Sequence, residues 1–145
     1  MLSRIVYYSR TLSRGRRAGR EGSLTDILRV SRSSNAALGI TGALLFDHQY
    51  FAQVLEGERS RVSHLFCKIC RDSRHEAVTI VEAKIIAERR FQNWSMALVR
   101  MEAGSAAAFA PTELDGDSLT DQIAKLLAVQ EDAISIAVPV PKIRA

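Results

Sequence analysis

The order of strand-like and helix-like segments is the feature that most constrains the fold of this chain. Five runs have the composition or the alternation typical of strands, and two segments between them repeat apolar residues at helical spacing. The predicted order is β-α-β-β-α-β-β. Because each helix must bury an apolar stripe, we expect both helices on one face of a five-stranded sheet. This is an α+β, ferredoxin-like sandwich with one additional strand.

The predicted strands are Leu2–Ser9, Gly39–Asp47, Tyr50–Glu56, Val78–Ala87 and Trp94–Met101. The first predicted helix has Ser23 as N-cap, and its inner face carries Leu24, Ile27, Leu28, Ser31 and Asn35. The second predicted helix runs from Ser60 to Asp72. Right-handed crossovers place the first and third strands side by side at the centre of the sheet. We therefore expect Tyr7 and Gln53 to be neighbours on the helical side.

The composition changes after Met101, which predicts two parts. Residues 1–101 form the predicted domain, and 47% of the whole chain is hydrophobic, enough for a core. Residues 102–145 are expected to form a linker and a C-terminal helix. This helix has Ser118 as predicted N-cap, and its apolar side carries Leu119, Ile123, Leu126 and Leu127. It is too short to be stable alone, so we expect it to pack on the open face of the sheet or on a partner.

Several classes of protein are disfavoured by composition. Apolar runs are far shorter than the roughly 18 residues of a membrane span. The N-terminal segment lacks the apolar region and cleavage site of a signal peptide. We expect a cytoplasmic protein without membrane contact. No hydrolytic triad, phosphate-binding loop or zinc motif is visible, so we do not expect an enzyme or a metal site.

Two local patterns leave alternatives open. The net charge is +4, and arginines crowd the segment from Arg10 to Arg20. We favour a solvated loop there over a phosphate clamp or a nucleic-acid contact, because the segment has no aromatic residue to stack on bases. Cys67 and Cys70 form one CxxC motif, which could be a redox pair or half a zinc site. Its position in a helical pattern favours two reduced structural thiols.

Four polar residues occupy predicted core-facing positions: Tyr7, Ser31, Asn35 and Gln53. A buried amide without its hydrogen bonds would cost about 1–3 kcal/mol, so Gln53 must have partners.

The segments around these residues resemble the BLUF family of blue-light sensors, which bind FAD. The similar segments are RIVYYS, SRSSNAALGITGALLF, FAQVLEGE, VSHLFCKICRDSRH and ERRFQNWSMALV, in the order and spacing of the family from Ser3 to Val99. Five segments in register are specific, although each alone is weak.

The resemblance implies a role for each matching residue. Tyr7 matches the photoactive tyrosine, and Gln53 matches the glutamine between that tyrosine and the flavin. Asn35 matches the asparagine at the flavin's carbonyl edge, and Ile27 and Ile69 match the aliphatic pair around the ring. The rest of the cofactor site is matched by Ser31, Lys68, Asp72, Arg74 and His75. Trp94 and Met96 match the mobile residues of the fifth strand that relay the signal.

These residue types suit a flavin on chemical grounds. An isoalloxazine is a flat plate that needs apolar faces and a few donors and acceptors at its rim. Lys68, Arg74 and His75 supply positive charge for a pyrophosphate. Two residues depart from the family pattern. Ser34 stands where many members have Asn or His, and Lys68 replaces a commoner arginine and loses its bidentate geometry.

The resemblance implies a photoreceptor. Light moves an electron and a proton from Tyr7 to excited flavin, and the amide of Gln53 rotates or tautomerises. The absorption then shifts to the red and recovers in the dark. FAD is the expected cofactor, with FMN or riboflavin as alternatives. Because no catalytic domain follows, we expect output through a downstream protein partner and a homo-oligomer, a dimer or larger. The alternative functions are a flavin-free interaction module and nucleic-acid binding through Arg10–Arg20.

Overall fold

The computed structural model describes residues 1–11, 33–47, 49–73, 75–93, 95–100 and 111–129. The elements, in chain order, are β1 (Leu2–Thr11), α1 (described over residues 33–38), β2 (Thr41–Phe46), β3 (Tyr50–Glu58), α2 (Arg59–Cys70), β4 (His75–Ile85), β5 (Ala97–Arg100), a 3₁₀ turn (Pro111–Glu113) and α3 (Gly116–Val129). This order confirms the prediction. The predicted N-cap Ser23 and most of the arginine-rich segment lie outside the described residues.

The five strands form one sheet in the order β4-β1-β3-β2-β5. The pairs β1–β3, β1–β4 and β2–β3 are antiparallel, and β2–β5 is parallel. Strands β1 and β3 are therefore central neighbours, as predicted. Their register places Tyr7 directly opposite Gln53.

The boundary between α1 and β2 differs from the prediction. Gly39 does not begin the strand; it ends the helix in the left-handed conformation, with φ of 68°. Its N–H donates to the carbonyl of Ala36 (3.3 Å), and the N–H of Ile40 donates to the carbonyl of Asn35 (2.8 Å). These two bonds define a Schellman motif, in which glycine avoids the steric cost of a positive φ. The motif leaves Asn35 one turn before the helix end.

The other strand boundaries also shift. β1 and β3 are longer than predicted because they pair from Leu2–Glu58 to Arg10–Tyr50. β4 begins at His75 rather than Val78, because it also pairs with the extended end of β1. β5 is shorter than predicted and begins at Ala97.

Different helices cover the two faces of the sheet. On the first face, α1 and α2 pack on a core that includes Ile5, Leu44 and Leu55. We call this the helical face. Helix α3 contributes Leu119, Ile123 and Leu127 to a second core on the opposite face, which we call the α3 face. This core also includes Val6, Leu45 and Val54. The division of the chain at residue 101 stays a prediction.

The start of α3 also differs from the prediction. Ser118 is not the N-cap. The carboxylate of Asp115 accepts the N–H of Ser118 (2.7 Å), and the helix begins at Gly116. Asp115 therefore takes the capping position three residues earlier, where an ionised acceptor also suits the helix dipole.

Close packing and ion pairs hold α3 to the sheet. A Cβ added at Gly116 would lie 2.5 Å from Cβ and Cδ of Glu82 on β4, so only glycine fits there without rearrangement. Lys84 pairs with Asp117 (2.9 Å), and Arg90 pairs with Asp121 (2.7 Å).

The buried carboxylate of Glu56, on β3, connects this strand to β1 and to the loop that precedes β5. It is fully buried, and Oε2 accepts from Nε of Arg4 on β1 (2.9 Å). Its other oxygen, Oε1, accepts the backbone N–H groups of Arg90 and Phe91 (both 2.9 Å). Because Arg90 and Phe91 precede β5, Glu56 fixes the loop that leads into that strand.

Two classes of feature are missing from the part of the chain that the structure describes. It contains no helix long and apolar enough to span a membrane. It also contains no group of three or more His, Cys, Asp or Glu side chains suited to a metal ion.

Candidate functional site

A cavity of about 260 Å³ lies between the helical face of the sheet and helices α1 and α2. β1, β2 and β3 supply its floor, and the helices supply its walls. Its lining residues are Tyr7, Ser34, Asn35, Leu38, Leu44, Phe51, Gln53, His64, Leu65, Lys68, Ile69, Asp72 and His75. The lining combines apolar side chains with polar and charged ones, which suits a cofactor that has an apolar ring and a polar rim.

Tyr7 and Gln53 form a hydrogen-bonded pair in the floor of the cavity. Both side chains are buried, and the hydroxyl of Tyr7 donates to Oε1 of Gln53. The amide nitrogen Nε2 of Gln53 donates to Sδ of Met96 (3.2 Å). A thioether accepts weakly and cannot donate, whereas a hydroxyl can do both. The two partners therefore set the amide's orientation, and one of them holds it weakly.

The environment of Tyr7 keeps its hydroxyl protonated. Burial, and after it the charges of Cys70 and Asp72, raise the pKa of the phenol far above its ordinary range. The ring of Phe66 packs edge-on against Tyr7, with centroids 5.3 Å apart. Tyr7 is thus a neutral hydrogen-bond donor in the resting protein.

Asn35 carries an unused acceptor in the cavity wall. Its side chain is 1% exposed, and Nδ2 donates to the carbonyl of Ser95 (2.9 Å). Among the described residues, no donor reaches its buried Oδ1. A buried amide oxygen without a partner costs about 1–3 kcal/mol, so a ligand N–H at this edge of the cavity would satisfy it.

Both ring nitrogens of His75 make contacts within the protein. Nδ1 lies 2.7 Å from Oγ of Ser9 on β1. Nε2 lies 2.7 Å from the carbonyl of Ile69, so it must carry a proton and donate. The ring also packs edge-on against Phe51 at 6.3 Å. His75 therefore lines the cavity and connects β1 to the end of α2.

The structure brings together most of the residues selected from the sequence. Tyr7, Asn35, Gln53, Lys68, Ile69, Asp72 and His75 line the cavity, and Met96 contacts Gln53. The predicted site residues Ile27, Ser31, Arg74 and Trp94 lie outside the described residues. Ser34, a departure from the family pattern, also lines the cavity.

The sequence analysis missed part of the lining: Leu38, Leu44, Phe51, His64 and Leu65. Helical spacing could have found two of them, since His64 and Leu65 lie four residues before Lys68 and Ile69. Phe51 could have been found by alternation, because it shares a strand face with Gln53.

The lining fits the ring of a flavin. The apolar part of the lining consists of Leu38, Leu44, Phe51, Leu65 and Ile69. Oδ1 of Asn35 and the amide of Gln53 supply rim partners. Lys68 is exposed at the α2 wall, where its positive charge suits a phosphate.

Comparison with known proteins agrees with this assignment. The profile of the BLUF family, described as sensors of blue-light using FAD, matches residues 2–97. The chain belongs to the BLUF family. This confirms the class predicted from the sequence, a flavin domain that senses blue light, and it does not favour the flavin-free and nucleic-acid alternatives.

Two solved structures show the same fold. BlsA in its photo-activated state superposes with a TM-score of 0.77 at 31% identity, covering 88% of this chain and 95% of that chain. BlrB, a BLUF protein in its dark state, superposes with a TM-score of 0.70 at 31% identity, covering 89% and 96%. Both chains are matched over nearly their full length.

Larger proteins contain a similar domain. The photoactivated adenylate cyclase subunit beta of Euglena longa is 35% identical over 91 residues, which is 62% of this chain. The chain spans about a tenth of that protein, whose remaining length lies outside the match.

Proposed function

We propose that this protein is a blue-light photoreceptor in which Tyr7 and Gln53 are the photoactive pair. The observation that carries the proposal is the chain of contacts from Tyr7 through Gln53 to Met96, which begins in the floor of the cavity. Bound flavin would supply absorption of blue light and, once excited, the ability to accept an electron. FAD is the proposed cofactor, and FMN or riboflavin would satisfy the same ring pocket.

The cofactor residues have separate proposed roles. Asn35 would accept from the ring's N–H through its unused oxygen, and Ile27 and Ile69 would cover the two ring faces. Lys68 and Arg74 would face the phosphates. Ser31, Asp72 and His75 would complete the site, with His75 acting by holding the end of α2.

Tyr7 would be the donor of both charge and proton. Because its phenol is buried and neutral, loss of an electron alone would leave an unsolvated positive charge at the ring. The proton would therefore leave with the electron, and Oε1 of Gln53 is the acceptor within reach. Nε2 of Gln53 would release one of its own protons at the same time, so that the amide stays neutral as its imidic tautomer, and one electron and one proton would pass in total to the bound flavin.

Gln53 would be the element with two states. Its present orientation needs a donating hydroxyl on one side and an acceptor on the other. When Tyr7 loses its proton, that requirement disappears, and rotation or tautomerisation of the amide can be favoured. Nε2 would then leave Sδ of Met96, which is the residue immediately before β5. A change in a hydrogen-bond pair thus becomes a change at an edge strand.

The output is part of the same proposal. Met96 and Trp94 would relay the change to β5 and to the segment that includes α3. The chain would act without catalysis, in the cytoplasm, through a protein partner or a change in a homo-oligomer. Light scattering in the dark and under blue light tests the oligomer directly.

Absorption spectroscopy tests the proposal. The purified protein, loaded with FAD, should show a reversible red shift under blue light. Tyr7→Phe and Gln53→Ala should each lose the shift while retaining flavin. The matched controls are Tyr8→Phe, on the α3 face of the same strand, and Gln49→Ala, an exposed glutamine; both should respond normally. A flavin-bound protein without a shift, or a normal shift in Tyr7→Phe, would exclude the proposed mechanism.

A further inference from the structure

Cys67 and Cys70 are not explained by packing. They lie one helical turn apart near the end of α2, and both are exposed free thiols. The sequence predicted structural thiols, but neither side chain belongs to the core on either face of the sheet. An exposed pair at this spacing is accessible to redox chemistry.

The two residues between the cysteines belong to the cavity wall. Lys68 and Ile69 both line the cavity. The carbonyl of Ile69 also accepts from Nε2 of His75, which in turn contacts Ser9 on β1. A change in the conformation of this turn of α2 would therefore alter the cavity wall and the contact between His75 and Ser9.

The end of α2 is already tighter than a regular α-helix. The N–H of Arg71 donates to the carbonyl of Lys68 (3.1 Å), and the N–H of Asp72 donates to that of Ile69 (3.0 Å). These are bonds between residues three apart, as in a 3₁₀ turn. A disulfide needs Cβ atoms about 3.5–4.5 Å apart, whereas residues three apart on a helix hold them about 5–6 Å apart. Bridging therefore requires this turn to deform and to move Ile69.

We propose that Cys67 and Cys70 form a reversible dithiol–disulfide site that adjusts the α2 wall of the cavity. The oxidant is a low-molecular-weight disulfide of the glutathione class. The thiolate of Cys67 attacks this disulfide, and one small thiol leaves. The thiolate of Cys70 then attacks the mixed disulfide, and the second small thiol leaves. Two protein S–H bonds are replaced by one S–S bond, and the two electrons and two protons end on the two small thiols.

The environment of the pair supports this order of attack. Partial burial, and after it the neighbouring Cys67, raise the pKa of the Cys70 thiol. Cys70 is also the last residue of α2, where the negative end of the helix dipole disfavours a thiolate, so we assign the first attack to Cys67.

The experiment compares four forms of the full chain in dithiothreitol and in glutathione disulfide: wild type, Cys67→Ser, Cys70→Ser and the double variant. Intact mass with and without alkylation identifies the product. We expect the wild type alone to lose two hydrogens and to form an intramolecular bridge. A wild type that stays reduced, stops at the mixed disulfide or forms a disulfide dimer would overturn the proposal.

A second readout tests the connection to the cavity without flavin. The ¹⁵N signals of the His75 ring should shift in the bridged wild type and stay unchanged in the double serine variant. A bridge that leaves these signals unchanged would refute the effect on the cavity wall.

The effect on flavin rests on the proposed function. If the deformed wall loses binding free energy equal to that of about one hydrogen bond, the bridged protein should bind flavin about fivefold more weakly. Equal affinity of the bridged and reduced forms would contradict the proposal. If neither form binds flavin, the proposed function fails, and the mass and His75 signals still decide the inference.

Discussion

Gln53 and Glu56 are buried polar side chains three residues apart on β3, and they show two different uses of a polar group inside a protein. Gln53 faces the cavity and has two neutral partners, a hydroxyl and a thioether. Glu56 points to the α3 face and accepts from the guanidinium of Arg4 and from two backbone N–H groups. The partners of Gln53 can be exchanged at low cost, whereas those of Glu56 are ionic and fixed. One strand thus carries both a side chain whose partners can change, Gln53, which we call the switch, and a side chain whose partners are fixed, Glu56, which we call the anchor.

The largest expected effect is on the anchor. Glu56→Ala should lower the free energy of unfolding by about 3–5 kcal/mol, because it leaves the buried guanidinium of Arg4 uncompensated. Gln53→Ala should cost less, about 1–3 kcal/mol, because it leaves one neutral hydroxyl without its acceptor. Urea denaturation of both variants measures the difference. If Gln53→Ala were the more destabilising, the distinction between switch and anchor would be wrong.

Tyr7→Phe should destabilise the protein at neutral pH by about as much as Gln53→Ala. The amide oxygen of Gln53 loses its donor, at a cost of about 1–3 kcal/mol. At high pH this cost should become smaller. The folded-state pKa of Tyr7 is raised, so its contribution is present below the unfolded pKa, about 10, and is lost as the pH rises further. The variant should therefore resist alkaline unfolding better than the wild type, relative to their stabilities at neutral pH. A parallel pH dependence in both proteins would argue against a buried phenol.

Gly116→Ala tests the packing of the α3 face. The new methyl group would press on the side chain of Glu82, and overpacking of this kind costs about 1–3 kcal/mol. Thr112→Ala, at an exposed position in the 3₁₀ turn, is the control and should be close to neutral. Thermal unfolding of the two variants compares them. No loss in Gly116→Ala would mean that α3 is less tightly docked than the structure shows.

The variant Arg90→Ala distinguishes the contribution of the Arg90 side chain to stability from that of its backbone N–H, which binds Glu56. Arg90→Ala removes the exposed ion pair with Asp121 and keeps the backbone N–H that binds Glu56. Exposed pairs contribute about 0–1 kcal/mol, and salt screens them. We expect a small loss in low salt that disappears in high salt, measured by urea denaturation. If Arg90→Ala lost as much stability as Glu56→Ala, the Arg90 side chain, and not the buried contacts of Glu56, would hold this loop.

Glu58 gives the smallest effect and concerns acid. Hydrogen bonds from the side chain of Ser60, the amino terminus and the backbone of Ser60 lower the pKa of this exposed carboxylate from 4.5 to about 2. Its contribution to stability is therefore present above pH 4.5 and is lost as the pH falls towards 2. In Glu58→Gln the midpoint temperature of thermal unfolding should depend less on pH over this interval than it does in the wild type. An unchanged slope would show that the helix cap carries no electrostatic contribution.

Much of the fold follows from local patterns in the sequence. Alternation places Tyr7 and Gln53 on the helical side, and the crossover rule makes their strands neighbours, so their contact was predictable. The class of cofactor was predictable from the five matching segments.

Other features depend on contacts between distant residues. Nothing local marks Glu56 as an anchor, because two of its donors are backbone groups more than 30 positions away. Likewise, the contact of His75 with Ser9 arises only once β4 pairs with β1. The cap of α3 was mispredicted because Asp115 and Ser118 are both good capping residues and sequence does not rank them.

The odd spacing between Gln53 and Glu56 limits how this protein can change in evolution or in the laboratory. Side chains alternate along a strand, so inserting or deleting one residue between them would turn one of the two to the wrong face. The switch would then lie in the dry core, or the anchor would enter the cavity. β3 can therefore accept no single-residue insertion or deletion between Gln53 and Glu56, and the number of residues in this interval is itself a requirement of both sites.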